Sequence, residues 1–279
     1  MKLIVVMGPT AVGKTKEAIR LANSLSTEIL SFDSRQFYQE LNIGVARPSP
    51  EELSAAPHHF IACRSVANPY NIFQYEQDAL KAIQALSASH DAVVAVGGSG
   101  LYAEALCNGV AVMPDPPKEL RERLSQQLRD EGVAPLQRQL QALDPEYYAK
   151  VDIKNGIRLQ RAIEVCLTTG KTYTEVIKDS RKPRPFEIEY RVVQAAPEVL
   201  RERIDSRVDL MMQQGLLEEA ASLTPFRHLN TLNTVGYKEL FQYLDGHLTL
   251  DQAVQQIKWH TWQYAKKQLT WLKSRISQQ

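Results

Sequence analysis

Lys2-Leu3-Ile4-Val5-Val6-Met7 runs directly into Gly8-Pro9-Thr10-Ala11-Val12-Gly13-Lys14-Thr15. The second half fits the phosphate-cradling pattern G-x-x-x-x-G-K-[ST]. The first half is an apolar, partly β-branched run of the kind that forms a buried strand. Beyond the loop, Ala18, Ile19, Leu21, Ala22 and Leu25 recur near helical spacing and predict a helix over 15–25. This order of strand, glycine loop and helix gives the pattern its chemistry. Loop N–H groups turn onto phosphate oxygens, and the helix adds its positive end. Lys14 supplies a point charge, and the Thr15 hydroxyl is placed to reach Mg²⁺. The plainer alternative is a glycine turn closing a βα unit. The loop predicts a phosphorylated ligand without saying which one.

Outward from the loop, residues 1–113 alternate strand and helix. Strands are expected at 28–32, ending at Asp33, at 59–63 and at 92–96, with a helix over 72–86. Such alternation implies an α/β fold, a three-layer core around a parallel sheet, with ligands beyond the carboxyl ends of the strands. Asp33 and the turn Gly97-Gly98-Ser99-Gly100 both fall at such ends. Met113-Pro114-Asp115-Pro116-Pro117 interrupts the pattern, and everything from 118 to about 177 reads helical. Residues 114–186 hold 14 Lys/Arg and 11 Asp/Glu, a net of +3, against −2 for the rest of the chain. A mildly basic helical domain, 114–186, is therefore expected as an insertion into the core. Residues 187–279 return with a strand at 190–195, a helix from 198 and two or three final helices.

Bulk properties set outer limits. The 279 residues carry a net charge of +1, so nucleic-acid contact must come from local patches. Cys63, Cys107 and Cys166 lie far apart with no C-x-x-C, and are expected as buried thiols in a reducing cytoplasm. The apolar start is too short for a signal peptide, and no run approaches a membrane span.

Several constellations have both a chemical and a structural reading. Asp33 fits a Mg²⁺ support, a general base for an incoming amine or hydroxyl, or a strand-end cap. Ser99, in its glycine turn, can hydrogen-bond a substrate. Arg203 and Arg207 share a helix face and can grip a diphosphate; spacing alone favours a solvated face beside Glu202 and Asp205. Arg158 and Arg161 can face RNA phosphates or be surface charges. His58-His59 has no third ligand in view. The last helix carries Trp259, Trp262 and Trp271 among cations, as base-stacking surfaces do, although most of its aromatics read as packing.

The order of motifs resembles the tRNA dimethylallyltransferase (tRNA isopentenyltransferase) family nearly end to end. The resemblance is carried by GPTAVGKT at Gly8, DSRQFYQELNIGVARP at Asp33, PHHFI at Pro57 and VGGSGLY at Val96. It continues with DPEYYAKVDIKNGIRLQRAIEV at Asp144, TGKTYTE at Thr169, RIDSRVDLMMQQGLLEE at Arg203, GYKEL at Gly236 and YAKKQLTW at Tyr264. It implies transfer of a dimethylallyl group from its diphosphate to N6 of the adenosine 3′ of the anticodon, in tRNAs reading codons that begin with U. By the same resemblance, residues 8–15 clamp the donor diphosphate with Mg²⁺ held at Thr15. Lys14 and Arg207 stabilise the leaving group, Asp33 is the general base, and Ser99 stands where the family has Thr beside the channel. Asp33, Ser34, Arg35, Gln36, Ser99, Arg121, Ile157, Arg158, Leu159, Gln160 and Arg161 match positions that touch the tRNA anticodon stem-loop. Arg35 and Phe37 replace Met and Val, Val45 a Thr, Asn155 an Asp and Trp262 an Arg, each near nucleic acid or substrate in the family. The zinc finger of eukaryotic members is missing, which implies a bacterial-type protein; a cytoplasmic monomer is expected. The competing readings are a small-molecule kinase, an isopentenyltransferase for free adenine nucleotides, and an inactive RNA-binding protein.

Overall fold

Apolar residues at alternate positions build one parallel sheet and decide its two faces. In chain order the elements before the insertion are β1 (Lys2–Met7), α1 (Lys14–Ser24), β2 (Ile29–Ser31), α2 (Pro50–Ala55), β3 (His58–His59), α3 (Ile72–Leu86), β4 (Ala92–Val96) and α4 (Gly100–Asn108). The insertion supplies α5 (Lys118–Glu131), α6 (Ala134–Leu143), α7 (Pro145–Tyr148), α8 (Gly156–Thr169) and α9 (Tyr173–Lys178). The chain returns with β5 (Glu187–Val192), α10 (Pro197–Gln213), α11 (Leu216–Ser222), α12 (Tyr237–Leu244) and α13 (Leu250–Ile276). This computed structural model describes residues 1–178 and 182–276. The chain divides into two units, Met1–Cys107 with Arg184–Gln279, and Asn108–Pro183. The boundaries read from the sequence, 113/114 and 186/187, differ slightly from these.

In the first unit the strand order is β3-β2-β4-β1-β5 and every pair is parallel. Leu3, Val5 and Met7 of β1 face one side with Leu30, Val93 and Ala95, against Tyr75, Ala79 and Ile83 of α3 and Leu106 of α4. Val6, Ile29, Val94 and Val96 face the other, against Ala18 and Ala22 of α1. Burying one such side chain contributes about 1.5–3 kcal/mol, and a one-residue slip would turn every one to the wrong face. The register, Leu3 opposite Val93 and Val5 opposite Ala95, is set in this way. The carboxyl ends of β1, β2 and β4 then open on one edge. Over that edge α10 and α13 close on the loop after β1, with Ala11, Val12, Leu200, Ile204 and Ala265 in one apolar cluster.

The second unit is helical, with no strand among its described residues. Leu124, Leu136, Leu140, Leu159, Ala162 and Ile163 form its core. Asp144 is 1% exposed and pins two helices. Its carboxylate accepts from Tyr147 N at 2.9 Å, Thr174 N at 2.7 Å and Thr174 Oγ1 at 3.0 Å. Asn155 caps α8, its Oδ1 accepting from Arg158 N at 3.1 Å. That bond explains how the amide serves where the family pattern has Asp.

Four local expectations are corrected. The strand expected over 59–63 stops at His59, because Phe60 and Ala62 take positive φ of 63° and 47°, which a strand does not allow. The strand expected at 190–195 runs Glu187–Val192 instead. As a sheet edge it needs no apolar run: Glu187 and Glu189 pair with Lys2 there, and Arg191 pairs with Glu189. Cys63 is exposed, whereas Cys107 and Cys166 are buried. Phe37, expected near nucleic acid or substrate, is a core side chain, fully buried and stacked on Tyr75 at 5.2 Å.

Candidate active site

β1 delivers the loop 8–13 to the start of α1. Gly13 takes φ 99°, a left-handed turn that strains any L side chain, and no side chain caps the helix it opens. The first N–H groups of α1 are left for an external acceptor. Lys14 Nζ donates to the Pro9 carbonyl at 2.7 Å, closing the loop on itself. Burial lowers the Lys14 ammonium from 10.5 to about 8; Asp33 opposes the shift and Arg207 adds to it. Burial also lowers the Arg207 guanidinium, with Glu52 opposing. Arg203, one turn earlier on α10, donates to the Val12 carbonyl at 3.3 Å. Arg203 thus touches the loop from an exposed position, as the solvated-face reading expects, whereas Arg207 is largely withdrawn from solvent and lines the cleft.

Two clefts meet here. The first, about 560 Å³, is lined by Lys14, Thr15, Ser31, Asp33, His58 and Arg207 among others. The second, about 460 Å³, has an apolar wall of Val208, Met211, Leu216, Val235 and Ile257. Ser34, Arg35, Ser99 and Tyr264 line it too. Thr10, Asp33, Val45, Ala46, Arg207 and Met211 belong to both. Asp33 Oδ1 accepts from Arg35 N at 3.1 Å. A Cβ on Gly98 would stand 3.8 Å from Asp33 Oδ2, so the carboxylate and the glycine turn are neighbours. The Tyr264 phenol is raised by burial and by Asp33.

The loop that carries Val45 and Ala46 is tied down on both sides. Glu219 accepts from Ile43 N at 2.8 Å, Gly44 N at 2.9 Å and Tyr237 Oη at 2.6 Å. Gln36 Nε2 donates to Val45 O at 3.2 Å and Ala46 O at 2.9 Å. Gln36, expected at the nucleic acid, thus has its amide nitrogen committed to the loop while it lines the first cleft. Sequence reasoning missed Glu219 and Tyr237, whose partners lie far away in the chain. It also missed Gln268, buried on α13 among Ala265 and Leu272. A glutamine on an apolar stripe is the one signal that was legible, because a buried amide requires partners.

Hard oxygen donors suit Mg²⁺: the Thr15 hydroxyl and the Asp33 carboxylate share the first cleft. Among the described residues no group of three or more His, Cys, Asp or Glu could hold a metal. A cation there would depend on ligand phosphate oxygens and water, as Mg²⁺ commonly does. His59 Nε2 instead pairs with Glu28 at 2.6 Å, and His58 Nδ1 with the Ala56 carbonyl at 2.7 Å.

The insertion sorts its expected RNA residues by helix phase. Ile157, at 71%, and Arg158 are exposed at the start of α8. Leu159 is fully buried in the core, and Gln160 is buried with Nε2 on Ser125 Oγ at 2.8 Å and Glu164 Oε1 at 2.9 Å. Neither side chain is open to a nucleic acid, which corrects the expectation for both. Arg161 lies 3.4 Å from buried Glu164, and Arg121 lies 3.6 Å from it, so one carboxylate organises both arginines.

The fold and clefts define a phosphate-loop α/β protein whose anion cradle opens beside an apolar pocket. Residues 36–275 match the pattern of the IPP transferases. The chain belongs to the IPP transferase family. It is 46% identical over 271 residues to tRNA dimethylallyltransferase 1 of Phocaeicola vulgatus, covering 97% of this chain and 90% of that one. It is 45% identical, with the same coverage, to the tRNA dimethylallyltransferase of Christiangramia forsetii. The crystal structure of the tRNA isopentenylpyrophosphate transferase of Bacillus halodurans superposes with a TM-score of 0.69 at 32% identity, covering 98% of this chain and 86% of that one. A eukaryotic dimethylallyltransferase acting on tRNA gives 0.82 at 26% identity, covering 97% and 69%. No helix among the described residues is long and apolar enough to cross a membrane.

Proposed function

We infer that this chain transfers a dimethylallyl group from dimethylallyl diphosphate to N6 of the adenosine 3′ of the anticodon, in tRNAs that read U-starting codons. The observation that carries the reading is the meeting of a charged cleft and an apolar cleft at Asp33. The charged cleft suits a diphosphate, and the apolar wall suits a five-carbon chain. In the reaction the C1–O bond of the donor breaks and the diphosphate leaves with the electron pair. The N6 lone pair forms the new C–N bond, and an N6 proton passes to the Asp33 carboxylate. The Lys14 ammonium, released from the Pro9 carbonyl, the loop N–H groups and the Arg207 guanidinium would stabilise the charge that grows on the leaving group. Bound with the diphosphate at Thr15, Mg²⁺ would add its own charge to that stabilisation. Ser99 lines the second cleft, where its hydroxyl would orient the amine.

The adenine must leave its stack to enter such a cleft, as base-modifying chemistry requires. Arg121, Arg158 and Arg161 with exposed Ile157 are the insertion residues assigned to the anticodon stem-loop. A cytoplasmic, monomeric enzyme completes the reading. The test is labelled dimethylallyl diphosphate incubated with unmodified tRNA, with free AMP and with no acceptor. Label in tRNA alone is expected. Label in AMP instead would assign the chain to free nucleotides, and label in neither would refute prenyl transfer.

A further inference from the structure

We propose that Gln268 of α13 is a positioning residue that ties the phosphate loop to the 97–100 turn and thereby fixes donor against acceptor. The proposal rests on the prenyl-transfer reading above. Gln268 is 8% exposed. Its Oε1 accepts from Thr10 N at 2.8 Å, and its Nε2 donates to Gly98 O at 2.7 Å. Thr10 follows β1 and Gly98 follows β4. These strands are paired up to Val6 opposite Val96, and the last backbone bond between them is Gly97 N to Val6 O at 3.4 Å. Beyond that point the backbones separate around the site. The side-chain amide takes the place of a peptide group there, accepting from one loop and donating to the other.

The turn is shaped for this approach. A Cβ on Gly98 would lie 2.6 Å from Gln268 Nε2, and one on Gly100 would lie 2.5 Å from the Trp271 ring. Residues 268 and 271 share one face of α13. Two of the glycines in the turn are thus sites where the last helix comes close, besides any role toward an anion. The same helix gives Ile257, Thr261 and Tyr264 to the second cleft. Thr10 lines both clefts and Ser99 lines the second. One side chain therefore holds the cradle of the leaving group in register with the turn that carries Ser99 beside Asp33.

An amide can accept at one end and donate at the other, and so can a protonated acid, whereas a carboxylate can only accept. Thr10 N is held by Gln268, which leaves Lys14, Thr15 and the remaining loop N–H groups to grip the diphosphate without it. Loss of the clamp should spare diphosphate affinity and slow the chemical step, since a misplacement near 1 Å costs on the order of 100-fold.

The experiment uses the full chain with Gln268→Leu and Gln268→Glu. Single-turnover transfer to saturating tRNA is measured per active site, with sites titrated by inorganic pyrophosphate and Mg²⁺. Gln268→Leu is expected to lose about 10- to 100-fold in rate while its pyrophosphate Kd moves less than about threefold. Gln268→Glu is expected to be slow at pH 8, where its carboxylate faces the Gly98 carbonyl. Relative to the parent chain it should recover as the pH falls toward 6, because the protonated acid can again donate. That recovery is a signature a merely structural role would not give, and it keeps the test open if Gln268→Leu fails to fold. A parental rate per site in Gln268→Leu would overturn the clamp. So would a rate loss matched by an equal loss of pyrophosphate affinity, or a relative Gln268→Glu rate that ignores pH. A parent chain inactive on every acceptor would overturn the prenyl-transfer reading and the clamp with it.

Discussion

Replacing Lys14 by alanine isolates the electrostatic part of the proposed reaction. As the allylic C–O bond breaks, the diphosphate gains one negative charge next to the Lys14 ammonium. A unit charge pair about 4 Å apart in a site of effective dielectric near 20 interacts by about 4 kcal/mol, an upper figure for the loss. Removing one preorganised donor commonly costs about 2.7–4 kcal/mol, or roughly 10²- to 10³-fold in rate. The expected single-turnover rate for Lys14→Ala is lower by that factor. Stability should respond little. The variant loses the 2.7 Å bond to the Pro9 carbonyl, a net cost of about 1 kcal/mol, but also removes a charge that burial disfavours. With a folded pKa of about 8 against 10.5 unfolded, Lys14 binds fewer protons in the folded state between these values. Its contribution therefore rises with pH across that window and is fully unfavourable below pH 8. Diphosphate favours the charged form, so its affinity should weaken as pH rises above about 8. The assay is single-turnover transfer with a parallel pyrophosphate titration from pH 7 to 10. A near-normal rate in Lys14→Ala, or an affinity step near pH 8 that survives the substitution, would refute the reasoning.

Three further outcomes are expected. Asp33→Asn should keep tRNA affinity and lose transfer, because the amide cannot accept the N6 proton; a collapse of affinity with an intact single-turnover rate would make Asp33 a binding residue. Neutralising Arg158 and Arg161 together should weaken tRNA binding and flatten its salt dependence by roughly one log unit per lost phosphate contact. Pyrophosphate binding should not change, and filter binding across salt concentrations with an unaltered slope would remove the insertion from RNA recognition. Glu219→Ala leaves the Ile43 and Gly44 amides and the Tyr237 hydroxyl without their acceptor. It should lower unfolding free energy by about 1–3 kcal/mol in a denaturant titration, and an unchanged midpoint would show that the 43–46 loop does not depend on this carboxylate.

Much of the site was legible because its signals are local. Residues 2–15 carry a strand, a glycine loop and a helix start within one βα unit, and short-range patterning suffices to read them. Asp33 and the 97–100 turn could be placed at strand ends for the same reason. Helix phase was less legible. Ile157 and Arg158 face out while Leu159 and Gln160 face in, and a motif match does not separate them. Asn155 reads in the sequence only as a departure from Asp, and its bond to Arg158 N is what shows it to be the cap of α8.

What the chain alone determined is the presence of a phosphate loop, its α/β frame and a helical insertion, since each follows from periodicities within a few turns or one strand. Tertiary structure decided which of these parts meet. The order β3-β2-β4-β1-β5 brings the loops after β1, β2 and β4 to one edge. Gln268 reaches Thr10 across 258 residues of sequence, and Glu219 reaches Ile43 across 176. No local pattern encodes such a pair, because its energy exists only once the intervening chain has packed and excluded water from both ends of the hydrogen bond.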